Sequence, residues 1–345
     1  MCGADRSRLG LAIPLLLTVA AACGPAADTT LTVRTTLPDE LRSYVEESFE
    51  ELNPTVDVVF TEADEDASLA ELRNGADAAP FDVWWGAPGV ALETAADAGL
   101  LQPHRPGWLA QPGVGQPNAE GRWQVVLVTP FVIAFSRDDL QLNRAPTDWI
   151  DLFHLRWTDE LQVLDPVRAP DGSYFMGSMI VQSLRDFDDL DDGFDWLRRL
   201  DGQVSEYVGA PEEAVQALGS GGARLAILPR AEVERARAVA APWLHYRLPE
   251  SGTPMLALGV GIVEGSRVVA AAQAFVEHLG RIDVATMSKL HTRWQPGHGD
   301  VDMNAFPDDF ELDQRWTPYA LTVDTLATEV DGWVDRWDAE VRGRG

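Results

Sequence analysis

The feature that most constrains this chain is the order of its first elements, in which short β-type runs alternate with amphipathic helices between Leu31 and Gly99. Leu31 to Thr35, Val56 to Phe60 and Asp82 to Trp85 read as strands, each followed by a helical pattern. Leu41, Val45, Phe49 and Leu52 fall on one helix face before Asn53-Pro54 stops it. Thr36 with Asp39, and Ser68 with Glu71, have the spacing of capping boxes. Such alternation buries a mainly parallel sheet between helix layers, and ligands collect in the crevice beyond the carboxyl ends of the strands. The third strand ends in Trp84-Trp85-Gly86, which places two large aromatics at a small-residue turn before a helix that starts near Pro88. Strand neighbours point to opposite faces, so one indole is expected to meet a solute while the other packs inward.

At 345 residues the chain exceeds what one hydrophobic core usually covers, so two lobes are expected. After a Pro- and Gly-rich stretch from Pro103 to Gly121, Trp123 to Val128 and Phe131 to Ser136 read as two apolar strands joined at Thr129-Pro130, the first crossover between lobes. A second crossover lies between His245 and Val263, where residues 256–263 are nearly all apolar. Between the crossovers, Leu161 to Leu164, Val204 to Val208 and Ala223 to Leu228 read as strands, with helices starting near Ser173, Leu190 and Pro211. Val268 to Gly280, Ile282 to Leu290 and Val323 to Val341 read as further helices. The N-terminal lobe is therefore expected over 31–128 plus 256–298, the C-terminal lobe over 129–255, and C-terminal helices packing on both over 299–345.

The front of the chain is a targeting segment. Arg6 and Arg8 precede an apolar run from Leu9 to Val19 that is too short to span a bilayer, and Ala20-Ala21-Ala22-Cys23 follows. This resembles the lipobox of bacterial lipoproteins, which implies a signal peptide over 1–23, acylation of Cys23 as a membrane anchor, and a tether over 24–30; ordinary secretory cleavage nearby is the alternative. Either way the mature chain is exported, and with Cys2 removed and Cys23 lipidated no thiol is left for a disulfide. A formal charge of -28 without a basic patch excludes nucleic acid as a partner. The acidic runs, among them Glu62 to Asp66 and Asp186 to Asp195, read as solvated surface.

Thr32 to Thr36 with a following helix and Asn53-Pro54, then Phe81 to Gly86, then Gly121-Arg122-Trp123 leading to Phe131 to Phe135, together resemble the extracellular solute-binding proteins of bacterial ABC importers. The branch is that of ferric-iron and phosphorylated-organic-solute binders, and the likeness continues through Leu164-Asp165-Pro166, Leu200-Asp201 to Tyr207, and Glu250 to Pro254. The resemblance implies a type II periplasmic-binding-protein fold, an α/β architecture of two lobes, each a mainly parallel sheet flanked by helices, joined by hinge strands. It also implies a monomer without cofactor that closes over a small solute and delivers it to permease subunits. Iron-binding members carry adjacent tyrosines after the strand that corresponds to Leu225 to Leu228; here the place reads Pro229-Arg230-Ala231-Glu232, and Arg230 favours a carboxylate, phosphate or phosphonate through its planar fork.

The expected ligand contacts are thus Thr35, Thr36, Trp84, Trp85 and Gly86 on one wall and Ser173, Tyr207 and Arg230 on the other, with a small organic anion as solute. Helix capping is the competing role for Thr36 and Ser173, a core position for Tyr207, and a surface position for Arg168. Ferric iron or a polyamine cation is the alternative ligand, the latter supported by the acidic surplus. His291, Arg293 and His298 cluster too loosely to define a metal site, and Gly259, Gly261 and Gly265 lie in a strand and do not open a helix as a dinucleotide fingerprint requires. An exported hydrolase would need paired carboxylates, for which Asp82 and Asp165 are the candidates. Replacing Cys23 with Ser is expected to abolish incorporation of labelled palmitate and to move the protein from the membrane to the soluble fraction.

Overall fold

In the computed structural model, residues 28–75, 79–110, 118, 120–297 and 317–343 are described; Cys23, the leader, the start of the tether and His298 lie outside them. The first lobe begins with β1 (Thr29–Arg34), α1 (Asp39–Leu52), β2 (Val56–Thr61), α2 (Glu65–Asn74), β3 (Val83–Pro88), α3 (Gly89–Asp97) and the short β4 (Leu101–Gln102). Thr29 and Thr30, assigned to the tether from sequence, are already in β1. The long β5 (Trp123–Ser136) carries the chain into the second lobe, built from β6 (Leu161–Leu164), α4 (Pro170–Phe187), α5 (Leu190–Asp201), β7 (Val204–Val208), α6 (Pro211–Ser220), β8 (Leu225–Pro229), α7 (Arg230–Val239) and β9 (Leu244–Arg247). The chain returns through β10 (Met255–Val263) to α8 (Val269–Leu279), α9 (Ile282–Thr292) and β11 (Gln295–Pro296), and ends in α10 (Val323–Glu340).

The principal strand order is β2-β1-β3-β10-β5-β8-β6-β7. The outer trios, β2-β1-β3 and β8-β6-β7, are parallel, as expected where each strand is followed by a crossover helix; the strands that join them, β10 and β5, run antiparallel to their neighbours. Along β5 the residues Trp123 to Pro130 pair with β10, whereas Phe131 to Ser136 pair with β8 and β9. All 14 residues of β5 are buried, so it forms the shared spine of both lobes. Sequence reasoning divided it at Pro130. It continues because Pro130 stands where the partner changes from β10 to β8, and the next rung is made by Phe131, whose amide donates to the Pro254 carbonyl at 2.9 Å.

Helix periodicity follows the core. In α1, Leu41, Val45 and Phe49 are buried at four-residue spacing, each removing apolar surface worth roughly 1.5–3 kcal/mol from water. The helix starts at Asp39 after Pro38, with no side-chain cap, so the box between Thr36 and Asp39 does not form. The cap of α2 is also displaced: Asp64 accepts from the Ala67 amide at 2.7 Å, and Ser68 and Glu71 serve instead as partners of Arg34.

The single helix α10 packs on α3 of one lobe and α4 of the other. Leu326, fully buried, lies over Gly177 of α4, where an added Cβ would come within 2.5 Å of its Cδ2. Thr322 at the start of the helix meets Ser178 at 3.2 Å, and Arg342 beyond its end donates to Asp165 at 2.6 Å. Truncating Leu326 to Ala is expected to cost about 2–5 kcal/mol of stability, read from the urea unfolding midpoint.

Candidate functional site

The carboxyl ends of β1, β2 and β3 point toward the second lobe, and there the chain leaves a cleft of about 600 Å³. Its walls come from the β1–α1 turn at Thr36 and Leu37, from residues 63–66 before and at the start of α2, from residues 84–88 of β3, from Leu258 of β10, and from Pro170 of the opposite lobe. The predicted first-lobe contacts divide within this frame. Thr36 is exposed and lines the cleft. Thr35 is buried, with its hydroxyl accepting from the Leu37 amide at 3.2 Å, so it shapes the turn. Gly86 lines the cleft at φ +73, and an added Cβ would lie 2.6 Å from the Leu37 side chain, so both conformation and space demand glycine.

Trp84 and Trp85 border the cavity, yet both indoles belong to the core. Trp84, 3% exposed, packs edge-on to Phe81; Trp85, 1% exposed, packs on Phe60 and edge-on to Phe275 on the other side of the sheet. The expectation that one ring stands free to stack on a solute is not met. What the pair gives the cleft is a rigid apolar floor.

The second-lobe expectations fare differently. Ser173 sits in the first turn of α4, its hydroxyl donating to the Pro170 carbonyl at 2.8 Å. Tyr207 is turned away: its hydroxyl donates to Asp201 at 2.9 Å, and its ring meets Trp337 edge-on at 4.9 Å. Arg230 is 0% exposed, its Nε 3.2 Å from Glu234 Oε1, and Tyr246 donates to the same carboxylate. The pair is internal to α7, which Tyr246 of β9 ties to the body of the lobe through Glu234, and Arg230 does not line the cleft. Arg168 is spent on Asp165 and the Tyr207 carbonyl. The carboxylates considered for hydrolysis are likewise engaged separately, Asp82 by the Thr32 amide and Ser266, Asp165 by the Val167 amide, Arg168 and Arg342.

Of the charged side chains at and near the cleft, sequence reasoning read the run Glu62 to Asp66 as solvated surface and gave Arg34, Asp171 and Glu232 no role. Arg34, at the end of β1, donates to Thr61, Ser68 and Glu71 at 2.9, 3.2 and 2.7 Å and lies over the Phe81 ring at 4.6 Å. These contacts clamp α2 to the sheet and fix Asp64, Glu65 and Asp66 at the cleft. On the facing lobe, Asp171 occupies the first turn of α4 and Glu232 the first turn of α7. Burial, then the charges of Glu232 and Glu65, push the Asp171 carboxyl from its ordinary 3.8 up to about 7. Burial, then Asp66 and Asp64, raise Glu65 as well. A helix N-terminus favours a carboxylate by only ~0.3–1 kcal/mol, less than the ~1.4 kcal/mol of a single pKa unit, so burial and like charge prevail. The signal available in sequence was positional: acidic residues in the first turn of helices that follow parallel strands face the ligand crevice. Among the described residues no group of three metal-ligating side chains is assembled, and no helix is long and apolar enough to cross a membrane.

Two lobes, hinge strands and a cleft at the strand ends define a periplasmic-binding protein of type II. The chain belongs to the bacterial extracellular solute-binding protein family, whose model matches residues 41–281. It is 24% identical over 352 residues to a probable ABC transporter periplasmic-binding protein, y4fP, of Sinorhizobium fredii, covering 99% of this chain and 94% of the relative. Among solved structures it is similar to Trichodesmium IdiA (FutA) in complex with iron and citrate (TM-score 0.79, 15% identity, 92% of this chain and 100% of that one). It is also similar to AfuA from Actinobacillus pleuropneumoniae with fructose-6-phosphate bound (0.67, 17%, 91% and 99%) and to a ferric binding protein from Campylobacter jejuni (0.75, 16%, 90% and 98%). As a member of that family it is an extracellular solute-binding protein.

Gly86→Ala is expected to cost at least about 1–3 kcal/mol through the left-handed backbone alone, measured as a lowered thermal midpoint.

Proposed function

We propose that the solute is an organic cation of the polyamine class, held between the lobes of a lipid-anchored monomer. The observation that carries this reading is the charge of the cleft. Asp64, Glu65 and Asp66 line it, while no basic side chain among the described residues does. An apolar floor with acidic walls suits an alkyl chain bearing separated ammonium groups, since the methylenes rest on apolar surface and each nitrogen meets a carboxylate. The expected organic anion rested on Arg230, which is 0% exposed inside the second lobe and does not line the cleft. Ferric iron gains less support, because no ligand set is assembled among the described residues and a cavity of about 600 Å³ is large for a bare ion. Iron with citrate and fructose-6-phosphate, bound by the structural neighbours, are the natural competitors to test.

Thermal-shift measurements on the mature chain with spermidine, putrescine, ferric citrate and fructose-6-phosphate decide between these. Spermidine at a hundredfold excess over its dissociation constant is expected to stabilise by about 2.7 kcal/mol, a rise of several degrees. A rise with either anion and none with the amines would overturn the cationic reading.

A further inference from the structure

We propose that α10 is a strap behind the hinge, whose apolar contact with α3 through Val323 holds the lobes apart and so lowers affinity for whatever solute the closed cleft takes. The two faces of the shared sheet are unlike. On one face the core is continuous: Trp123, Val128, Phe131 and Phe135 of β5 share it with α3 of the first lobe, α4 of the second and α10. On the other face there are two separate cores, with Val126 of β5 in the first-lobe one and Val132 and Ala134 in the second-lobe one. The floor strand β3 serves both faces, with Trp84 in the continuous core and Trp85 opposite. On β10, Ala257 belongs to the continuous core and its neighbour Leu258 lines the cleft, as alternation requires. The cleft thus opens at the break between the two separate cores, and α10 lies across the unbroken face behind it.

The strap holds the two lobes in different ways. Among the described residues, every hydrogen bond and ion pair that leaves it runs to the second lobe. Thr322 meets Ser178 at 3.2 Å, Arg336 donates to Asp191 at 2.6 Å and Arg198 to Glu340 at 3.2 Å. Beyond the helix, Arg342 donates to Asp165 at 2.6 Å and the Gly343 amide to Asp201 at 3.1 Å. Toward the first lobe it offers Val323, 7% exposed, whose Cγ1 would stand 3.0 Å from a Cβ on Gly89, the first residue of α3. Hydrogen bonds are directional and hold one register, whereas apolar contact is not, so α10 travels with the second lobe and shears over α3. Of the described residues that line the cleft, Pro170 alone comes from the second lobe, so the contact between Val323 and Gly89 is made with the lobes apart. Closure in front draws α10 away from Gly89 behind and returns Val323 to water. The contact therefore weights the open arrangement, and apparent affinity falls with the fraction of protein able to close.

Double electron–electron resonance on the ligand-free full chain reads the separation of the lobes. Cys2→Ser and Cys23→Ser clear the background, and spin labels are carried on Ser43→Cys of α1 and Ser220→Cys of α6, exposed positions on helices that cover the cleft side of the sheet. Val323→Ala removes two methyl groups from the contact and is expected to raise the ratio of short to long separations about three- to tenfold. Leu326→Ala, at a side chain seated on Gly177 of the second lobe, is expected to lower stability and leave that ratio unchanged. Should Val323→Ala fail to fold, Val323→Thr, which keeps the shape and exchanges one methyl for a hydroxyl, is expected to move the ratio the same way by about two- to threefold. An unchanged distance distribution in a folded Val323 variant, or an equal shift from Leu326→Ala, overturns the proposal. Because no solute is present, neither result bears on which solute the cleft takes.

Discussion

The structure depends on the pairing of one buried strand with different partners along its length. Because β5 is laddered to β10 through Pro130 and to β8 and β9 beyond it, the two lobes are parts of one hydrogen-bonded sheet. Antiparallel pairing makes this possible, since the outer parallel trios each need helices on both faces, and a pair of antiparallel strands can join them without a crossover helix. The sheet's carboxyl edges then oppose one another across the cleft. Everything that lines the cavity, from the β1–α1 turn to the first turn of α4, is a consequence of that opposition.

The cleft itself combines rigidity with uncompensated charge. Its floor is held by two indoles packed on opposite sides of β3, and its first-lobe rim by Arg34, which lies over the Phe81 ring and whose hydrogen bonds to Ser68 and Glu71 hold α2 while a third reaches Thr61 of β2. Asp64, Glu65 and Asp66 on the first-lobe rim meet no basic side chain among the residues that line the cleft, and on the facing lobe burial with the charges of Glu232 and Glu65 raises the proton affinity of Asp171. A binding protein benefits from it: contacts formed with both lobes are what shift a hinge equilibrium, and a cation that neutralises repulsion between lobes stabilises only the closed arrangement.

Much of the architecture was legible in the residues. β-branched and aromatic runs bounded by Asn-Pro, Gly and Pro marked most strands and helices, and the apolar stretches at Trp123 to Ser136 and Leu256 to Val263 pointed to the crossings. The failures are local and share a cause. Pro130 read as a break because a proline interrupts most ladders, but here it stands at the change of partner. Ser68 and Glu71 have capping spacing, yet Arg34, distant in sequence, claims both. The same applies to the site. Arg230 begins a helix at the cleft end of its lobe, and whether its side chain runs outward or back to Glu234 depends on packing that spacing does not encode. Tyr207 is taken by Trp337 and Asp201 after α10 has docked. Glu65, Asp171 and Glu232 conform to the ordinary preference for acids in a helix's first turn, so nothing in composition separated recognition from dipole compensation.

That the cleft's charge resides in first-turn residues has an evolutionary consequence. These positions project from the ends of secondary elements, outside the packed layers, so exchanging an acid for a neutral or basic residue there disturbs neither the strand ladder nor the helix stripe facing the core. Specificity can drift while the scaffold is conserved. The structural neighbours, at 15–17% identity, retain the chain's overall course with iron and citrate or fructose-6-phosphate in their complexes. A fold of this kind is a frame whose selectivity is written in a few replaceable side chains at the mouths of its helices.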